Sequence, residues 1–308
     1  MFDQRAVNLT SLNIVKGEFL ATIQLATNQL EQFISSRERQ DLVQSCLESF
    51  QQIDGVLRMV QLRGADMLAG EIVDALRSVP VGADASYDAM LAAVSTASFV
   101  VTRYFEYVQQ FEKSMPVLLL PFINDLRATR KLAPIPDSHF LVMNPVGAPE
   151  QHGAVEAFSS DAARRFRHMF QVGLLGVLQG QNADYSLGLM QRALERTNAM
   201  ASGKPFAKVL WSAAVSLRAI RETHMALQTP RKMLFSALDR QLKQLVAQGE
   251  GFLDSTFDES LLRGFVYIVA ASGSESEHAK AVRSVFAVMP MGYCESDVEE
   301  ELNNLRGP

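Results

Sequence analysis

Gln51 and Gly55 stand four residues apart in the run Phe50–Leu68, FQQIDGVLRMVQLRGADML. That spacing stacks two side chains on one helix face. The chemistry such a pair could serve is phosphoryl transfer. An exposed imidazole at the first position would attack an aspartyl phosphate on a partner, because its ring nitrogen is nucleophilic near neutral pH. A glycine one turn later would clear the approach, and a cation between them would favour the incoming negative charge. This chain carries a carboxamide at the first position and Asp54 in place of the cation. A carboxamide is not a useful nucleophile at neutral pH, so two separate changes point to a shape kept and a chemistry lost. A glycine inside a helix costs about 1 kcal/mol relative to alanine. Gly55 therefore calls for an explanation, either close approach of another surface or tight packing on a neighbouring helix. Arg58 lies seven residues after Gln51 on the same outward face. Gln51, Asp54, Gly55 and Arg58 are the candidate protein-interaction residues, with Gln51 at the degenerate phosphoacceptor position. No catalytic residue is nominated.

Other groups able to do chemistry are scattered. His139, His152, His168, His224 and His278 show no metal-like spacing with a cysteine or carboxylate, so no metal and no cofactor are expected. His139 and His152 fall in a proline-rich stretch. Four residues after His168 and His224 come Val172 and Gln228, not glycine. Arg164, Arg165 and Arg167 form a basic cluster that reads first as a solvated helix face. Gly173, Gly176 and Gly180 sit in or just past a helical run, not after a strand, so they are no phosphate-binding loop. Ser212, Ala213 and Ala214 are small residues in mid-helix, best read as packing positions. Trp211 beside them is expected to be buried.

The elements that carry these residues are helical throughout. Apolar residues recur three and four apart over long proline-free stretches. The first stretch, from about Leu12 to Ile34, puts Ile14, Phe19, Leu20, Ile23, Leu30 and Phe33 at core-like positions. In the second, Val43, Cys46, Phe50, Ile53, Leu57 and Val60 step along one face, and Gly64 reads as its stop. Further helices are expected at about 66–78, 86–113 and 116–132. Six more follow at about 159–178, 183–201, 205–227, 231–248, 258–271 and 275–288. Phe265–Ala271 is the best strand candidate by composition, but it continues the helical spacing of Leu261 and Leu262.

The fold class is therefore all-α, with two helical-bundle domains, the first a four-helix bundle with an added helix. The expected division is 1–133 for the first bundle and 134–157 for a proline-rich linker, partly pinned by Phe140 and Leu141. Residues 158–292 make the second helical domain, a candidate divergent repeat of the first. Residues 293–308 read as an acidic tail, either cut short or tethering something downstream. With 308 residues the chain can bury roughly three quarters of its unfolded surface without staples. Two distant cysteines, Cys46 and Cys294, give no disulfide framework and suit a reducing compartment. A net charge of −5 argues against nonspecific nucleic-acid binding. No apolar run reaches the roughly 18 residues needed to span a bilayer, and no secretory signal is visible at the start.

The Gln51–Gly55 segment resembles a histidine phosphotransfer domain whose histidine is replaced. Ser11–Glu18 (SLNIVKGE), Gln51–Leu62, Met115–Arg127 (MPVLLLPFINDLR) and Pro134–Phe140 (PIPDSHF) resemble the FimL scaffold proteins of type IV pilus regulation. The same segments are similar to the N-terminal region of the ChpA/PilL chemotaxis-type kinases. The likeness covers most of residues 10–142 and, more loosely, about 160–290. The resemblance implies a cytoplasmic, non-catalytic scaffold recruited to the cell pole, promoting twitching motility and cAMP signalling. Its implied partners are proteins: a polar hub of the FimV type, receiver domains, or components of an adenylate-cyclase pathway. The alternatives are the N-terminal region of such a kinase and an active phosphorelay protein using His168 or His224.

Overall fold

The computed structural model describes residues 7–144, 147–149, 153–181 and 183–306. His152 and part of the expected linker lie outside the described residues. Among the described residues, every regular element is a helix. The chain divides into two compact units: residues up to Ile135 together with those from Val298 onward, and Pro136–Asp297.

In the first unit, α1 (Leu9–Ser35) packs on α2 (Gln40–Met59), α2 on α3 (Ala65–Arg77), and α3 on α4 (Asp88–Phe111). Contacts of α4 with α1 close a four-helix ring, and α5 (Leu120–Thr129) lies against α3 and α4. The Asn8 side chain caps α1 by accepting the Ser11 amide at 3.1 Å. The buried face of α1 carries Leu12, Phe19, Ile23, Ala26, Leu30 and Phe33. Ile14 was expected among them and is instead 78% exposed. It follows Leu12 by two residues, which turns it about 200° around the helix, away from the core stripe.

Helix α2 ends before the expected stop. Gln61 takes the left-handed conformation at φ 57°, its amide donates to Arg58 O at 3.1 Å, and the Leu62 amide donates to Leu57 O at 3.0 Å. That pair of bonds is the Schellman arrangement, with the buried Leu62 meeting buried Leu57. Gly64 instead precedes α3 at φ +91°, where a Cβ would stand 2.6 Å from Pro116 Cβ. Glycine is needed there for both conformation and space.

Cys46 on α2 is fully buried and donates toward Ala26 O at 3.5 Å. Burial pushes its thiol up to about 12, because a thiolate there would lose its hydration. Cys294 is half-buried. In the native protein at pH 8, a thiol reagent is expected to label Cys294 promptly and Cys46 only after denaturation. Equal labelling rates for the two would contradict the burial of Cys46.

In the second unit, α6 (Ser160–Leu178) packs on α7 (Ala183–Ala199), and α7 on α8 (Ala207–Thr223). The ring continues from α8 to α10 (Glu259–Ala271), then to α9 (Thr229–Gln248), which returns to α6. Its closure runs through five helices where the first unit uses four. The short α11 (Glu277–Val285) covers α8 and α10. Residues 209–217 of α8 are buried without interruption, so this helix is apolar on all sides and central. The Trp211 ring lies 6.1 Å from that of Phe286, and Ser212–Ala214 are core, as their sizes suggest.

Residues 136–144 are structured and part of the second unit. Leu141 is buried in its core. Arg263 Nη1 donates to Leu141 O at 2.6 Å, and the Asn144 amide to Phe286 O at 2.7 Å. Within residues 293–308, expected as an acidic tail, Glu295–Arg306 form helix α12. Leu305 is buried, Arg103 Nη2 donates to Asn304 O at 3.5 Å, and the Arg306 guanidinium sits 5.9 Å from the Phe122 ring centre. One apolar residue per turn at the end of an acidic run is too weak a pattern to be read in sequence, yet it seats the helix.

Candidate protein-interaction site

The four residues singled out in sequence lie along α2, with Gln51, Gly55 and Arg58 exposed and Asp54 half-buried. Gln51 and Gly55 are exposed on the outer face of α2. A Cβ built on Gly55 meets nothing within 4 Å, so packing on a neighbouring helix does not explain this glycine. Asp54 and Arg58 pair with each other along the helix. Arg58 Nε donates to Asp54 Oδ1 at 3.0 Å and Oδ2 at 3.1 Å. Arg58 Nη2 lies 3.8 Å from where a Cβ on Gly70 of α3 would be. The hydrogen bond that Arg58 donates to Asp54, helped by the carboxylate's charge, raises the Arg58 guanidinium above its ordinary range. The acid at the position where phosphate would want a cation is thus already paired.

On its other flank Gly55 opens onto a groove of about 330 Å³ between α1 and α2. Glu18, Thr22, Gln52, Val56 and Met59 line it over a floor of Phe19 and Ile53. Met59 is 68% exposed. Met59 comes four residues after Gly55, a spacing that could have flagged it. Glu18 and Thr22 belong to another helix, and only tertiary packing brings them near. The Thr22 hydroxyl is engaged with Glu18 O at 2.8 Å, and the lining holds no imidazole and no opposed pair of ionisable groups.

The histidines do not reproduce a cleared imidazole. His168 is exposed on α6, but the glycines that follow it are packed on α7. A Cβ on Gly173 would stand 2.6 Å from Met190 Cγ, and one on Gly176 would stand 2.3 Å from Ser186 Oγ. His224 caps α8 in the left-handed conformation. His139 is exposed and meets the Phe140 ring edge-on at 5.1 Å. Of the basic cluster, Arg167 pairs with Asp239 at 3.2 Å, which leaves Arg164 and Arg165 outward. Among the described residues, no group of His, Cys, Asp or Glu side chains is placed to hold a metal ion. Nor is any helix long and apolar enough to cross a membrane.

Fold and surface together describe an all-α protein with two helical units and a groove flanked by a bare glycine. Residues 156–297 match the family model described as the FimL scaffold protein second domain. Over 304 residues the chain is 35% identical to the scaffold protein FimL of Pseudomonas aeruginosa strain PAO1, covering 97% of this chain and 53% of that protein. The chain is thus similar to that scaffold protein along nearly its whole length, and it spans about half the length of the curated relative it matches. No solved structure matches.

Proposed function

We propose that this chain is a non-catalytic scaffold that works through protein–protein contact in the chemosensory control of type IV pili. It would promote twitching motility and cAMP signalling and be recruited to the cell pole from the cytoplasm. The homologue's description as a scaffold protein supports the general role. The observation that carries the local reading is Gly55, an exposed mid-helix glycine with no neighbour within 4 Å of its missing Cβ. Its cost to α2 has no return inside the chain, and a partner that approaches the backbone closely supplies one. On this reading α2 presents a phosphotransfer-type face with glutamine at the acceptor position. Such a face can still dock a receiver domain without taking its phosphate.

Gly55→Arg is expected to weaken capture of a receiver-domain partner about tenfold or more while leaving helicity unchanged; unaltered capture would count against this face. Incubation with a receiver domain carrying phosphate tests the catalytic alternative in the same samples. Acid-labile label on this chain that is lost in His168→Gln or His224→Gln would replace the scaffold reading with a phosphorelay one.

A further inference from the structure

Helix α6 is apolar on two sides, and one of them is bare. Phe170, Leu174 and Val177 point into the core of the second unit. Val172, Leu175 and Leu178 point outward, at 48%, 55% and 49% exposure. An apolar stripe on a helix ordinarily faces a covering neighbour. Rotation cannot hide the outer stripe, because Gly173 and Gly176 fix which side of α6 seats on α7. Tyr185, at the start of α7, adds a further exposed ring just past the end of the stripe. No other stretch of comparable length among the described residues exposes as many large apolar side chains.

The same outer face changes character along its length. Toward the N-terminus, Arg164, Arg165 and His168 replace the aliphatic residues and are exposed. Neither arginine has an ion-pair partner among the described residues. Asp161 opens the helix and is the only acid on α6. A stripe with cations at one end and aliphatics at the other has a direction. It matches a second helix lying along it, with carboxylates at one end and an apolar stripe over the rest. A membrane surface would instead favour cations flanking the apolar stripe along its whole length, with aromatic anchors among the aliphatics.

We propose that the outer face of α6 is a docking site for an amphipathic helix of a partner protein, acidic at the end that meets Arg164 and Arg165 and aliphatic where it covers Val172, Leu175 and Leu178. The acidic helix of this chain, α12, is not that occupant within its own copy, since Leu305 is already buried in the first unit. The site is separate from the α2 face and does not rest on it.

The test uses the full chain and a fluorescent synthetic helix with a block of Glu at one end and a Leu stripe over the rest. Anisotropy is expected to report binding that weakens about tenfold or more in Leu175→Glu and in Arg164→Glu/Arg165→Glu. Replacing the Glu block by Lys is expected to restore binding to the double variant, and Gly55→Arg is expected to bind as the parent does. All substituted positions are exposed, and circular dichroism checks that each variant keeps its fold. Binding that is equal in all chains overturns the proposal. So does binding to phosphatidylglycerol vesicles without binding to the peptide, or self-association that these substitutions abolish while the peptide never binds.

Discussion

Gly173→Val is expected to destabilise the second unit by about 3 kcal/mol, the upper part of the range for overpacking a close contact. That corresponds to a fall of roughly 6–12 °C in its unfolding temperature for a domain of this size. The reason is the identity of the atoms in the way. A Cβ at Gly173 would lie 2.6 Å from Met190 Cγ, 2.6 Å from the Ser186 carbonyl oxygen and 3.2 Å from the Met190 amide nitrogen. Met190 could swing aside, but the backbone of α7 cannot move without parting the two helices. Gly55→Ala is the matched control, with the opposite sign. It gains the helix propensity that glycine forgoes, about 1 kcal/mol at most, because nothing stands within 4 Å of the new atom. Both are interior helix positions, so propensity alone would rank them alike. Thermal unfolding followed at 222 nm on the three proteins decides it, and a stable Gly173→Val protein would mean that α6 and α7 are not packed as described.

Arg231→Met is expected to cost about 2 kcal/mol, less than the loss of a cation from a wholly buried pair, because its acidic partners still reach water. The Arg231 side chain is 7% exposed. Its Nη1 donates to Ala226 O at 2.7 Å, and its Nη2 meets Glu295 at 2.5 Å and Asp137 at 3.8 Å. Its Nε is buried without a partner. One guanidinium on α9 therefore holds residues near both the beginning and the end of the second unit. Without it, two carboxylates face each other. Lysine is not expected to rescue, since a single ammonium cannot meet a carbonyl and a carboxylate in different directions at once. The loss should also depend on pH. One edge of Asp137 reaches water, but the protein around the rest of it strips enough hydration to raise its carboxyl above the usual range, while Arg231 pulls the other way. Removing the arginine raises it further, so the folded variant binds its proton more tightly than the unfolded chain does. Stability then falls as pH rises through the carboxylate range, and the deficit is smaller at pH 4 than at pH 7. A deficit that is the same at both values would show that Arg231 acts by packing alone.

The sequence by itself determined the all-α class, the approximate span of eleven helices and the exposure of Gln51 and Gly55. These follow from the period of apolar residues, a local property that survives any tertiary arrangement. Phe265–Ala271 resolved correctly as helix for the same reason. Single positions at the ends of a stripe did not resolve, and Ile14 is the instance, because the phase there is set by too few residues. Gly64 misled because glycine is the usual left-handed cap, while here Gln61 takes that conformation and the glycine answers to Pro116, fifty-two residues away. Only the tertiary structure decided that the Arg58 guanidinium, paired with Asp54 four residues earlier, also comes beside Gly70 of α3. The i,i+4 spacing encodes the pair itself, but which other helix comes within its reach is not encoded along one helix. The tertiary structure also decided that Pro136–Asn144 belongs to the second unit and that the acidic end is a seated helix. Each of those rests on contacts with residues far off in the chain, where the energy comes from burial and pairing that no local pattern records.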